Sequence, residues 1–310
     1  MKPRPDKQDR NLFIGILAGI GAGMLFGTDF VPGQILKDIS SLEFYFGRAF
    51  FFGLFSLLFC RRAIAAFIGF SARDKLHALA LNAAGFWLYS LMLFWSIQNG
   101  SAIVTTIVVG TMPATIALAS KNIRELGLLF ILGLAIIFAG LCTLHAVSFS
   151  HLMDQGAAAW LLPFLCLGLW TWYAIANSTF IARHPQLSKT DMVSIMGLMT
   201  FVILMVLGIA AIDIPHILHH PQFNAYILWT AVLGIGSSWA GFWLWNICSL
   251  RCPPTISGPL LVSETMFGLI YTFLYQQRLP TVSEAFAIFL FAIGALLVIY
   301  TESRLDDAPA

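Results

Sequence analysis

The chain has 310 residues, 59% of them hydrophobic and 10% charged, with a mean hydropathy of +0.84. Soluble domains carry about 25% charged residues, so this composition excludes a water-soluble enzyme or a nucleic-acid-binding module and calls for lipid around most of the surface. The formal charge of +2 says little about partners, because the placement of the charges matters more than their sum.

Ten apolar runs lie near residues 12–32, 42–60, 76–98, 101–120, 125–145, 157–182, 190–212, 224–248, 254–275 and 282–300. A helix of roughly 20 residues crosses about 30 Å of hydrocarbon, so the expected fold is an all-α membrane protein with ten transmembrane helices. The polar, basic stretch 1–11 reads as a tail. The run after it is too long for a signal-peptide core and lacks a small-x-small cleavage site, so it reads as a retained first helix.

Run one carries Gly19, Gly23 and Gly27 at four-residue spacing, which allows close approach to another helix, and Asp29 near its far end. Run two holds Arg48 about two turns in, with Glu43 near its start. Asp29, Glu43 and Arg48 fall in one leaflet by topology, so they are candidates for an interhelical ion network acting as a gate, or simply neutralising Arg48. In run three Asn82, Phe86 and Tyr89 share a face; Trp170, Tyr173 and Asn177 do so in run six, and Trp239, Trp243 and Asn246 in run eight. Each stripe joins aromatic rings to an amide or phenol, and a lipid-facing stripe has no use for the polar member. The alternative for any one stripe is helix packing. If the three converge they wall an aromatic cavity suited to flat or cationic solutes.

Pro113 and Pro259 lie inside runs four and nine, where each removes a backbone donor and gives a kink or a hinge. In run nine Ser257, Leu261, Glu264, Gly268 and Tyr271 follow three-four spacing. An ionisable residue in hydrocarbon is a functional candidate by default; Glu264 is expected to face the bundle and to take up a proton or a cationic substrate, or else to be locked by hydrogen bonds. The five cysteines, Cys60, Cys142, Cys166, Cys248 and Cys252, lack metal-ligand spacing and read as small apolar residues. Neither a metal nor a cofactor is expected. His216, His219 and His220 read as a wet loop, with a metal or pH-sensing role as the alternative.

Counting loops alternately from the N-terminus puts fourteen Lys and Arg on one side and only Lys37 and Arg278 on the other, with Arg48 left inside a helix. Basic residues of short loops stay in the cytoplasm, so both termini are expected there. The ten helices divide into two fives, residues 12–150 and 151–302, flanked by tails 1–11 and 303–310. Trp95-Ser96-Ile97 recurs as Trp245-Asn246-Ile247, and Gly133 and Gly140 recur as Ala287 and Gly294. An odd number of spans per copy inverts the second copy relative to the first.

The first-run GAGMLFG, Arg48 in FYFGRAF, Pro113 in GTMPATIAL, WTWYAIAN, and SWAGFWLWNIC with ISGPLLVSETMFGLIYTFL together resemble the ten-helix EamA-type permeases of the drug/metabolite transporter superfamily, and in particular an enterobacterial inner-membrane branch. The resemblance covers essentially the whole chain. It implies a multi-pass protein of the inner membrane and, more often than import, export. Many members place a glutamate after helix nine where this chain has Gln276-Gln277-Arg278, so no role of that glutamate is carried over.

The function expected is a secondary transporter of small amphipathic metabolites such as amino acids, aromatic compounds or organic cations, working by alternating access with a proton as a candidate coupling ion. Such a protein acts as a monomer or homodimer. There is no GxxxxGK[ST] loop for primary transport. A channel or a binding and signalling module is the alternative, though neither a polar ring nor a re-entrant filter is evident. An intramembrane enzyme lacks a clustered catalytic set.

Overall fold

The computed structural model describes the backbone of residues 5–120, 127–152, 157–208, 212–252, 257 and 260–306, and all regular structure among them is helical. In chain order the main helices are α1 (Asn11–Ile35), α2 (Ser41–Ile68) and α3 (Ala72–Asn99). Then come α4, in two pieces (Ala102–Val109 and Met112–Ser120), α5 (Leu128–Leu152) and α6 (Ala157–Arg183). They continue with α7 (Lys189–Val206), α8 (Phe223–Arg251), α9 (Val262–Gln276) and α10 (Val282–Asp306). Among the described residues six of them, α1, α2, α3, α6, α7 and α8, contain stretches long and apolar enough to cross a membrane.

Local chemistry sets the starts. Ser40 with Glu43 and Ser188 with Asp191 form capping boxes at α2 and α7, and Ser71 and Ser101 cap α3 and α4. The ends overrun the apolar runs. The first helix already begins at Pro5, α2 continues through a 3-10 turn at Leu57–Phe59, α5 reaches Leu152 and α10 reaches Asp306. A helix stops where the backbone meets a breaker, not where hydrophobicity fades, and α2 runs on through alanine-rich sequence until Gly69. His145 and His151 therefore lie in helical backbone. Pro259 lies outside the described residues.

Four turns meet at one end of the bundle, called here the Lys37 end: Gln98 donates to the carbonyls of Leu36, Lys37 and Ile39, Gln222 to Ile35 O, and Gln276 to Gln34. At the opposite, Arg61 end, His184 meets Asp74 and Phe70, and Gly15 lies against Arg251 and Cys252.

The pairings repeat when the two halves are exchanged. α1 packs on α8 and α9, while α6 packs on α3 and α4; α2 packs on α7 and α5 on α10. On α5, a Cβ at Gly133 would lie 2.9 Å from Gly294 O, and one at Gly140 would lie 3.1 Å from Ala287 O. Gly53 is likewise filled by Phe201, and Gly197 by Ser56 and Phe52. Reciprocal contacts of this kind are what a twofold relation between partners produces. The α1 glycines do bring a helix close: a methyl at Gly19, Gly23 or Gly27 would run into Leu260, Ser263 or Gly268 of the α9 segment.

Candidate substrate site

Asp29 sits on a 3-10 turn, Gly27–Phe30, where α1 tightens before its bend at Val31. Arg48, two turns into α2, pairs with it: Arg48 Nη2 lies 3.1 Å from Asp29 Oδ2 and 3.1 Å from Ser237 Oγ, and Nε lies 2.9 Å from Ser238 Oγ. The guanidinium also lies over the Phe86 ring, 5.3 Å from its centroid. Both serines belong to Val232–Gly241, a stretch of α8 wound as a π-helix, in which Ser238 donates back to Leu233 O. A wide turn of this kind presents side chains that a straight helix would stagger, and such turns gather at functional sites. A second π turn, Ala83–Trp87 in α3, carries Phe86.

The pair forms one wall of a buried pocket. Phe26 and Asp29 of α1, Arg48 of α2, Gly85, Tyr89 and Ser90 of α3, Trp170 of α6, Phe242 of α8 and Glu264 of α9 line it. Its open volume is about 10 Å³, at the threshold for a single water. Four aromatic rings close it: Phe26 meets Phe242 at 5.3 Å and Trp170 at 6.3 Å, and Tyr89 meets Trp170 at 6.4 Å. Glu264 is 4% exposed, and no described side chain hydrogen-bonds to it; the charged group acting on it is Asp29. The second oxygen of Asp29, Oδ1, has no partner among the described residues either.

The helices around the pocket are interrupted. α4 stops at Val109 and restarts at Met112, with Pro113 in the first turn after the break. α9 restarts at Val262 after a turn at Leu261. Glu264, expected near mid-helix, is thus in the first turn, where the positive end of the helix dipole favours a carboxylate. The two breaks adjoin, since a methyl at Gly110 would overlap Thr265. Broken helices facing each other in mid-bundle are the usual frame of a transporter's solute site.

Residues 13–145 match the EamA-like transporter family. This part of the chain is an EamA domain. The inner membrane protein YtfF of Escherichia coli strain K12 is 26% identical over 306 residues, covering 92% of this chain and 94% of that protein. The fold recurs in a solved crystal structure, described only as that of a protein, with a TM-score of 0.59 at 17% identity over 94% of this chain and 98% of its own. The chain is a multi-pass protein of the inner membrane. The EamA domain supplies Phe26, Asp29, Arg48, Gly85, Tyr89 and Ser90 to the pocket; Trp170, Phe242 and Glu264 come from beyond it.

Several residues singled out from sequence lie elsewhere. Glu43 does not join Arg48: its carboxylate caps α2 through Ser40 N at 2.8 Å and meets His216 Nδ1 at 2.8 Å. A carboxylate three residues after a helix-start serine is claimed by the free backbone donors there. His216 also contacts His220, their rings 5.3 Å apart, while His219 bonds Pro215 O. Trp239 turns from the pocket to Phe55 and Phe59 of α2, at 4.9 and 5.0 Å, and Trp243 donates to Thr190. Phe242, which sequence spacing missed, takes the pocket position because the preceding π turns rotate α8. Its only sequence signal was its place in an aromatic run.

Tyr173 is buried against Trp170 and Phe242 beside the pocket. Asn82 ties α3 to α7 through Met196 O and Thr200. Asn177 and Asn246 are buried, each with a carboxamide oxygen that no described group satisfies, at a cost of roughly 1–3 kcal/mol apiece when such an atom stays dry. Ser257 is buried, and Tyr271 stacks on Phe267. Cys60, Cys166, Cys248 and Cys252 are free thiols.

A second cavity of about 590 Å³ opens at the Lys37 end, walled by the α1–α2, α3–α4 and α9–α10 turns. Gln34, Gln98, Gln222, Tyr275 and Gln276 line it, with Lys37 and Arg278, the two basic residues of the sparse side. Arg278 makes a two-pronged pair with Glu284, at 2.6 and 2.7 Å. Gln34, on the vestibule wall, donates to Phe30 O and Thr272 Oγ1, and both of those residues are fully buried.

Proposed function

We propose that this chain is a secondary transporter of small amphipathic solutes bearing a positively charged group, organic amines and amino acids among them, built as ten membrane helices in two inverted five-helix repeats with both termini in the cytoplasm. The pairings that recur on exchanging the halves, and the reciprocal α5–α10 contacts, support the repeat. The vestibule at the Lys37 end is then the external mouth. The closed pocket is the solute site in its occluded state.

The observation that carries this reading is the charge count in the pocket: two carboxylates, Asp29 and Glu264, against one guanidinium, Arg48. With Asp29 committed to Arg48, an ionised Glu264 would be an unpaired buried charge, which is too costly to persist. Glu264 therefore holds a proton or the cationic group of a solute, and the rings of Phe26, Tyr89, Trp170 and Phe242 suit the same cation. One acid serving two cations in turn gives exchange of solute for proton, with export as the direction that the inward proton gradient drives.

The test is transport by purified protein in liposomes, with solutes chosen by comparing the medium of deletion and overexpression strains. Glu264→Gln is expected to lose proton-driven movement at least tenfold with its melting temperature kept. Wild-type transport in that variant removes Glu264 from the mechanism. Uphill transport that survives a protonophore rules out proton coupling.

A further inference from the structure

The central pocket does not account for a second group of polar side chains, which lies one helical turn nearer the Arg61 end. Asn177 follows Tyr173 by four residues on α6, and Asn246 follows Phe242 by four on α8, so each shares a face with a residue at the pocket's edge. The Tyr173 and Phe242 rings touch, with centroids 5.8 Å apart. On α7 Met196 receives the Tyr173 hydroxyl at 3.9 Å and Thr190 receives the Trp243 indole at 3.2 Å, which puts Ser194, between them in sequence, at the same level.

Three helices thus bring two carboxamides and a hydroxyl to one depth. Asn177 and Asn246 are 5% and 3% exposed and Ser194 fully buried. Asn177 Oδ1, Asn246 Oδ1 and Ser194 Oγ all lack partners among the described residues. Asn82, on α3 at a neighbouring level, differs: Met196 O and Thr200 occupy it. A fold that needed these three groups only for packing would hold apolar side chains there, because a buried polar atom without a partner is a net cost in the closed state.

We propose that Asn177, Ser194 and Asn246 form a second, cytoplasm-side station for the solute, with Tyr173 and Phe242 as the gate between it and the central pocket. The inference rests on the transporter reading. When the gate rings part, the amide oxygens and the hydroxyl meet the solute or the water that follows it, and a solute with N–H donors is the kind they hold. The station is uncharged, so it receives a solute leaving the carboxylates of the pocket without trapping it.

Melting and thiol labelling, both read without any solute, separate this inference from the wider reading, with transport as a third readout. Ser194→Ala and Asn246→Leu remove unsatisfied groups, so each variant is expected to melt in detergent about 1–4 °C above the parent, while its transport falls at least fivefold. Residues with a merely structural role would shift both readouts downward. Ser194→Cys, a one-atom change, is expected to react with a membrane-impermeant cationic thiosulfonate at least tenfold faster than the parent chain in inside-out vesicles, and no faster in right-side-out vesicles. Equal reaction from both faces, none from either, or lowered melting temperatures in both apolar variants overturns the station even where Glu264→Gln behaves as expected. Loss of the Glu264 effect with labelling intact overturns the pocket reading instead.

Discussion

Two seams of the bundle are equivalent by pairing and unlike in packing. Along α1 and α9 the backbones nearly touch, with Gly23 against Ser263 and Glu264 N and Gly27 against Gly268 N, and no room for a methyl group. Along α4 and α6, the pairing obtained by exchanging the halves, a groove of about 520 Å³ remains open around Gly168, which has nothing within 4 Å of its Cβ position. A hydrogen bond between Thr115 and Thr171, at 2.7 Å, crosses the open seam. On the transporter reading proposed above, a molecule with one seam shut and its counterpart loose is in one of two states, and exchanging the packing of the seams is the motion that inverted repeats would make available.

Beside the shut seam charge ties α1 to α2 and α8, and this ion pair gives the largest effect. Asp29 on α1 reaches Arg48 on α2, which in turn holds the π-helical serines of α8. Arg48→Met leaves a buried carboxylate alone and is expected to cost about 3–5 kcal/mol, measured by thermal unfolding in detergent. Adding Asp29→Asn is expected to recover most of that loss. If the single variant melts like the parent, the pair does not fix α1 beside the seam and the comparison must rest on packing alone.

Overpacking is next in size. Gly23→Val forces a branched side chain into Ser263 and the α9 backbone, and costs of about 1–3 kcal/mol are usual for such insertions. The same unfolding measurement reads it, and solute exchange is expected to fall with it because α9 carries Glu264.

The placement of these features was legible in the sequence to different degrees. The four-residue glycine spacing of α1 was readable because helical geometry fixes which residues share a face. Glu264 inside the bundle was readable because lipid will not solvate a carboxylate. The Asp29–Arg48 pair followed from two opposite charges at one depth. Spacing failed where the helix is not a straight α-helix: the π turns of Val232–Gly241 carry Trp239 and Trp243 away from the pocket and bring in Phe242. It also failed for Glu43, where an intrahelical use of the carboxylate at the helix start outcompetes a tertiary one. The restart of α9 just before Glu264 was not readable, because a run of apolar residues looks the same with or without a break.

The smallest expected effect tests the comparison most closely, because the same substitution should change sign between the seams. Gly23→Ala adds one methyl where Ser263 Cβ stands 2.9 Å away and Glu264 N 2.8 Å away, so it is expected to lower the melting temperature. Gly168→Ala adds the same methyl to open space in the middle of α6. There only the helical preference for alanine over glycine remains, about 0.5–1 kcal/mol, and the melting temperature is expected to hold or rise slightly. If the α4–α6 groove closes in the opposite state of the cycle, Gly168→Leu should keep the fold and yet slow exchange, since the bulk fills the space that closure needs. Equal melting shifts for the two alanine variants would mean that the seams are alike in solution, and the account of one shut and one open state would fall.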